Sequence, residues 1–381
     1  MSIKSKTAVL QEMGRPRPYR SSCPLTIEDV TLDPPGPGEV LVRVRAAGLC
    51  HSDLSVINGD RPRPMPMALG HEAAGEVVEL GAGVTLVKPG DHVVMVFVPS
   101  CGHCIPCMEG RPALCEPGAA ANAVGSLLGG GRRLRRAGTA PSSPTLHHHL
   151  GVSGFAEYAI VSQFSLVKID PSLPFEIAAL FGCAVLTGVG AVINTAGLRA
   201  GASVAVIGLG GVGLNSVLGA RAAGARQIIA IDLDAKKLEL ARSLGATDTV
   251  LASNPDSLQE IRDLSAGGVE YAFEMAGSVK AMELAYHITR RGGTTVTAGL
   301  PPPTAQFSFS QVSLVAEERS IKGSYIGSCV PIRDLPRYIS LYQRGLLPVD
   351  RLMSGRIGFA DLNAAFDSLA DGGAVRQVLV P

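Results

Sequence analysis

The sequence predicts a two-part α/β protein in which a β-rich first half leads into a doubly wound parallel sheet covered by helices. Three observations predict it. Up to about Ser162 the chain reads as short alternating strands broken by Gly and Pro, such as Glu39–Arg45 and Glu76–Glu79. From about Ala202 strands alternate with helical stretches, the rhythm of a parallel sheet. A length of 381 residues exceeds one typical domain and leaves room for two or three cores.

The elements of the second half follow from their periodicity. Ser203–Ile207, Gln227–Ile231, Val269–Phe273 and Thr294–Ala298 are apolar runs of strand length. Val212–Ala223 lies between the first two as a helix, and Ala235–Leu244 follows the second with Leu238, Ala241 and Leu244 at helical spacing. Near the end Asp361–Ala370 reads as a further helix. Glu116–Leu150 is Gly/Ala-rich, carries Arg132-Arg-Leu-Arg-Arg136 and His147-His-His149, and reads as a loop. Three adjacent histidines cannot all converge on one ion.

Composition narrows the partners. Lys plus Arg is 34 against 33 Asp plus Glu, so the chain lacks the positive field that nucleic-acid binding needs, and a small molecule is the expected partner. Met1–Arg20 shows no apolar core with a cleavage site, so a cytoplasmic location is expected. Ile177–Ile193 is mostly apolar but contains Gly182, Thr187, Gly188 and Gly190, is short for a membrane span and reads as buried core. Of eight cysteines, four fall within fifteen residues, which in a reducing compartment favours metal over disulfides.

Two motifs carry chemistry. Gly208-Leu-Gly-Gly-Val-Gly213 follows a strand and opens a helix, so Gly208, Gly210, Gly211, Val212 and Gly213 can bring backbone N–H groups and a helix N-terminus to a pyrophosphate. Asp232 lies nineteen residues after Gly213 at the end of the next strand, placed to accept from ribose hydroxyls and to repel a 2′-phosphate, which selects NAD over NADP. Cys101, Cys104, Cys107 and Cys115, at spacings of three, three and eight, can close a tetrahedral structural zinc site; an iron–sulfur cluster or free thiols are the weaker alternatives.

Cys50-His51-Ser52-Asp53 and Gly70-His71-Glu72 say little singly. Together with Phe181-Gly-Cys183, the cysteine loop and the glycine motif, in this order, the chain resembles the zinc-dependent medium-chain alcohol dehydrogenases of the long-loop branch that includes the liver and class III forms. The resemblance runs from Pro34–Val40 to Val375-Arg-Gln377. It implies a GroES-like catalytic domain over 1–184 holding two zinc ions, a Rossmann NAD-binding domain over 185–326 and a return to the catalytic domain over 327–381, with the active site in the cleft.

Within that resemblance Cys50, His71 and Cys183 match the catalytic zinc ligands, with Asp53 and Glu72 behind them. Ser52 matches the hydroxyl that hydrogen-bonds the substrate oxygen and relays its proton away while hydride passes to the nicotinamide. His51 and Arg376 match contacts to the cofactor phosphates and Lys237 a contact near the adenosine ribose. Phe97, Ala120, His149, Leu150, Leu300 and Tyr325 match the substrate pocket, largely apolar and opened by the small Ala120. A homodimer and a bulky apolar primary alcohol or aldehyde are the expectations.

Departures bear on the alternatives. Ser55 stands where several relatives carry a relay histidine. Arg61 and Ala119 stand where the glutathione-linked branch carries an acid and an arginine, which disfavours glutathione-dependent formaldehyde oxidation, although Asp60 is adjacent to Arg61. A non-catalytic zinc-stabilised NAD-binding protein would have lost a ligand or Ser52, and none is lost.

Overall fold

The computed structural model describes residues 2–140 and 142–381. The chain forms two compact units, one of Met1–Cys183, Val330–Pro336 and Asp350–Pro381, the other of Ala184–Cys329 and Arg337–Val349. The segment 327–381, expected to return whole to the first unit, is therefore divided. Within it Tyr338 accepts from Asn194 at 3.2 Å, a contact internal to the second unit.

The first unit holds two sheets. One has five strands in the order Leu134–Arg136, Leu25–Leu32, Ile3–Leu10, Met67–Ala68, His147–His148. The other runs Leu166–Lys168, His92–Met95, Glu72–Leu80, Glu39–Gly48, Arg376–Leu379, Met353–Ile357, with Tyr158–Ser162 also paired to Glu39–Gly48. Glu39–Gly48 is central and its side chains are mostly buried on both faces, as its run of Val, Leu and Ala requires. Val9, Val30, Leu32, Leu41, Leu127, Leu134 and Ile160 form one core cluster. Burying each such side chain contributes about 1.5–3 kcal/mol.

The reading of Glu116–Leu150 as loop is corrected. Glu116–Val124 is a helix, and Leu134–Arg136 and His147–His148 are edge strands. The basic run is held by ion pairs: Arg133 grips Glu39 at 2.7 Å, Arg135 pairs with Asp33, and Arg136 meets Glu28 at 3.0 Å. The three histidines diverge. His147 Nδ1 meets the Val124 carbonyl, His148 Nε2 accepts from the Arg133 N–H, and His149 turns toward Asp53. Burial drives the pKa of His148 down to about 3, so it is a neutral acceptor.

The second unit is a six-stranded parallel sheet in the order Asp248–Leu251, Gln227–Asp232, Ser203–Ile207, Val269–Glu274, Thr289–Thr297, Ser320–Gly323. In chain order that is 3-2-1-4-5-6, the dinucleotide-binding arrangement, whose switch point lies beside Ser203–Ile207. Ala235–Leu244 is a helix with Leu238, Ala241 and Leu244 buried, capped by the Asp234 carboxylate accepting from Lys236 N at 2.8 Å. Ile207, Ile229, Ile231, Val250 and Ile288 lie in its core.

The apolar run read as core is part of the helix Phe175–Ala196. That helix is long and apolar enough to cross a membrane by composition, yet 83% of its most apolar stretch is buried inside the protein.

Candidate functional site

Three segments far apart in sequence meet in the first unit. Cys50 ends the turn after Glu39–Gly48 and precedes the helix His51–Ile57. His71 precedes the strand Glu72–Leu80, whose Glu72 pairs with Gly48. A Cβ at Gly48 would come 2.7 Å from Glu72 Oε1, so glycine is what lets the Glu72 carboxylate fit there. Cys183 sits in a π turn, Phe181–Val185, interrupting the buried helix; such turns recur at functional sites.

The ligand atoms of Cys50, His71, Glu72 and Cys183 all lie within 4.8 Å of one another, and all four residues are buried. Cys50 Sγ and Cys183 Sγ are 4.0 Å apart. Two thiolates on one tetrahedral zinc, at ~2.3 Å each, stand ~3.8 Å apart. His71 Nδ1 meets Asp53 Oδ1 at 2.9 Å, while its Nε2 is buried without a hydrogen-bond partner among the described residues. A carboxylate only accepts, so Nδ1 carries a proton, and against the effect of burial Asp53 holds the His71 pKa well above its ordinary value. A cation that displaces the second proton from Nε2 meets an imidazole lone pair beside two sulfurs, a soft donor set.

Asp53 fixes this arrangement from behind. Its Oδ2 accepts from the Cys50 N–H at 3.1 Å, so one carboxylate orients two of the candidate ligands. Burial alone would raise its pKa, but His71 and His149 hold it below the ordinary value. Asp53, His71 and His149 are also close enough together to suggest a metal set. Their separations of 2.9 and 3.2 Å are a hydrogen bond and an ion-pair contact, short of the ~3.4 Å between two ligands at ~2.1 Å from one tetrahedral ion.

Electrostatics distinguish the remaining groups. The Cys183 thiol beside it, aided by His71 and opposed by burial, holds the Cys50 thiol well below its usual value. Burial pushes the Glu72 carboxyl up to about 8 despite Arg376. Arg376, expected to face cofactor phosphates, is buried with Nη1 3.2 Å from Glu72 Oε2 and 3.1 Å from the Leu49 carbonyl. Its Nε has no hydrogen-bond partner among the described residues. Ser52 is half-buried and His51 exposed in the first turn of their helix, and Ser55 donates to the His51 carbonyl at 2.8 Å.

The second cysteine cluster has another character. Cys101, Cys104, Cys107 and Cys115 bring their sulfurs within 4.8 Å of one another. Backbone N–H groups aim at them: Cys101 N and Gly118 N at Cys115 Sγ, 3.2 and 3.4 Å, and Cys104 N at Cys101 Sγ, 3.3 Å. Such donors stabilise thiolates. His103 bonds back to the Cys101 carbonyl and is no fifth member.

In the second unit, Gly208 has φ +87° and a Cβ there would strike Ala276; a Cβ at Gly213 would come 1.8 Å from the Gly208 carbonyl oxygen. Both positions require glycine. Gly210 caps the helix Gly211–Ala222, which includes Val212. Asp232 accepts from Leu209 N at 2.6 Å and from Asp234 N at 3.0 Å, which ties the glycine turn to the strand end. Lys237 is half-buried on the next helix.

The expected pocket residues divide. Phe97 and His149 both pack edge-on against the His71 ring, centroids 5.1 and 5.5 Å away. Leu150 is buried, and Ala120 is exposed on the helix Glu116–Val124. Leu300 and Tyr325 belong to the second unit and are exposed. The His149–Asp53 contact had no sequence signal, since the two residues lie far apart and neither belongs to a shared spacing pattern.

Comparison with known proteins adds independent findings. The profile of the alcohol dehydrogenase GroES-like domain matches residues 36–171, and that of the zinc-binding dehydrogenase matches 211–344. The NDMA-dependent alcohol dehydrogenase of Amycolatopsis methanolica is 39% identical over 384 residues, 99% of each chain. The S-(hydroxymethyl)glutathione dehydrogenase of Synechocystis is 38% identical over 381 residues, 99% of this chain and 100% of the relative. The crystal structure of benzyl alcohol dehydrogenase from Acinetobacter calcoaceticus is similar with a TM-score of 0.91 at 30% identity, covering 99% of both chains.

Proposed function

Because this chain belongs to the zinc-dependent medium-chain alcohol dehydrogenase family, we propose that it interconverts bulky apolar primary alcohols and their aldehydes with NAD as the hydride carrier. The observation that carries the reading is the buried Nε2 of His71, without a hydrogen-bond partner among the described residues, beside two buried sulfurs, in a ring fixed from behind by Asp53. Cys50, His71 and Cys183 hold a catalytic zinc, and Cys101, Cys104, Cys107 and Cys115 a structural one. Bound in the open set of three, zinc supplies a Lewis acid for an alcohol oxygen.

The chain's own residues supply the rest. The Ser52 hydroxyl accepts a hydrogen bond from the substrate hydroxyl and passes its own proton on as it receives the substrate's, and with Ser55 in place of a relay histidine and bonded to the His51 carbonyl that proton leaves by another route. Phe97 packs its ring against His71, and with the buried Leu150 it supplies apolar surface that excludes water. Gly208–Gly213 and Asp232 receive the pyrophosphate and the ribose of NAD. The protein acts as a cytoplasmic homodimer on a small molecule.

The name of the Synechocystis relative supports a second substrate, S-(hydroxymethyl)glutathione. Against it, Arg61 and Ala119 replace the acid and the arginine that hold the charged adduct. The test is turnover with NAD, followed as NADH in both directions, on ethanol, benzyl alcohol, a terpenoid alcohol and S-(hydroxymethyl)glutathione, with NDMA as an alternative acceptor. Efficiency rising from ethanol to the bulky alcohols is the expected result. Preference for the glutathione adduct would overturn the substrate, and no turnover with any alcohol would overturn the enzyme reading.

A further inference from the structure

His149 is placed by main-chain contacts that leave its ring little freedom. Its N–H donates to Ser153 Oγ at 3.0 Å, and its carbonyl accepts from Val152 N and Ser153 N at 3.0 and 3.2 Å. The turn that follows holds Leu150 and Ser153 at φ +51° and +54°, backbone that non-glycine residues seldom adopt. The imidazole it presents is 1% exposed. Its Nδ1 stands 3.2 Å from Asp53 Oδ1, an ion-pair distance, and makes no aligned hydrogen bond among the described residues.

Asp53 Oδ1 thus faces two imidazoles, His71 Nδ1 at 2.9 Å and His149 Nδ1 at 3.2 Å, while Asp53 Oδ2 faces the Cys50 N–H. With two hydrogen bonds and the His149 imidazole at ion-pair distance around it, the carboxylate has one orientation. The ring of His149 also stands edge-on to that of His71, which limits rotation of the ligand ring. We infer that His149 is a positioning residue for the open metal site: through Asp53 it fixes the plane and tautomer of His71, and it is not merely a wall of the substrate pocket. The inference rests on the proposed zinc assignment of Cys50, His71 and Cys183.

The test compares the full-length zinc-loaded protein with His149→Phe, which keeps a ring but removes the donor, and His149→Asn, whose amide Nδ2 can donate from nearly the same place. Zinc release to a chelator is followed, and the cobalt-substituted proteins are compared by their visible absorption bands. The Cys101–Cys115 cluster serves as internal control, and melting curves establish that each variant folds. His149→Phe is expected to lose metal from the open site about ten- to a hundredfold more readily and to shift the cobalt bands, with His149→Asn close to wild type. Wild-type metal retention and spectrum in His149→Phe, even with an altered KM for bulky alcohols, would overturn the inference. So would a folded His149→Asn behaving like His149→Phe. Wild-type protein that binds zinc only at the four-cysteine loop would instead overturn the zinc assignment.

Discussion

The two cysteine clusters of the first unit offer a comparison. Cys101, Cys104, Cys107 and Cys115 come from fifteen consecutive residues, three of them only partly buried, with backbone N–H groups turned onto their sulfurs. Cys50, His71 and Cys183 come from three distant segments and are buried, and two of them, Cys50 and His71, are held by the carboxylate of Asp53. The first cluster organises a loop around itself, whereas the second is organised by the completed fold. Ligand number follows the same division: four donors close a site, and three leave room for a reacting atom.

The comparison can be broken at its largest predicted effect by Cys50→Ala. Loss of several kcal/mol of transition-state stabilisation should cut kcat by about a thousandfold or more, while the melting temperature stays near that of wild type. Metal analysis should find about one zinc fewer than the roughly two per chain that the ligand count implies. Unchanged turnover or unchanged zinc would show that the open set is not the reactive one.

Cys104→Ser should do the reverse. A closed site contributes folding energy directly, so loss of several kcal/mol should lower Tm by roughly 10 °C, at ~2–4 °C per kcal/mol for a unit of this size. The protein that remains folded should keep most of its kcat. A variant with wild-type Tm would remove the structural role of this loop.

Asp53→Asn sharpens the comparison, because it touches no metal-directed atom. It should weaken metal retention at the open set about ten- to a hundredfold and leave the four-cysteine loop unaffected, as read by chelator release from each site. Equal weakening at both sites would mean that Asp53 supports the unit generally. The smallest effect expected is that of Asp232→Gly in the second unit. NAD binding should weaken about tenfold, ~1.4 kcal/mol, and the gap to NADP should narrow, with both metal sites intact. A wild-type preference for NADP would overturn the reading of this carboxylate.

The same contrast explains what was legible in the sequence. The four-cysteine loop and the glycine turn with Asp232 are local patterns, and their chemistry follows from spacing. The helix Ala235–Leu244 was equally plain, since Leu238, Ala241 and Leu244 mark its buried face. The open set has no spacing of its own, and only resemblance linked Cys50, His71 and Cys183. Glu116–Val124 was missed because a stretch of Ala and Gly lacks an apolar stripe, and Leu134–Arg136 because ion pairs to Glu39, Asp33 and Glu28 help hold it at the edge of the sheet. The contacts of Arg376 with Glu72 and of His149 with Asp53 join residues 304 and 96 positions apart, beyond any local rule.

The π turn at Phe181–Val185 makes the open set sensitive to chain length as well as to chemistry. Each residue advances a helix by about 100°, so deleting Gly182 would leave every ligand type in place, remove almost no apolar area and still carry the Cys183 sulfur about a quarter of a turn away from Cys50. A one-residue deletion there would be as damaging as replacing the cysteine, whereas a one-residue change in the surface turns near Gly130 or Gly138, where a Cβ would meet nothing within 4 Å among the described residues, would pass with little consequence.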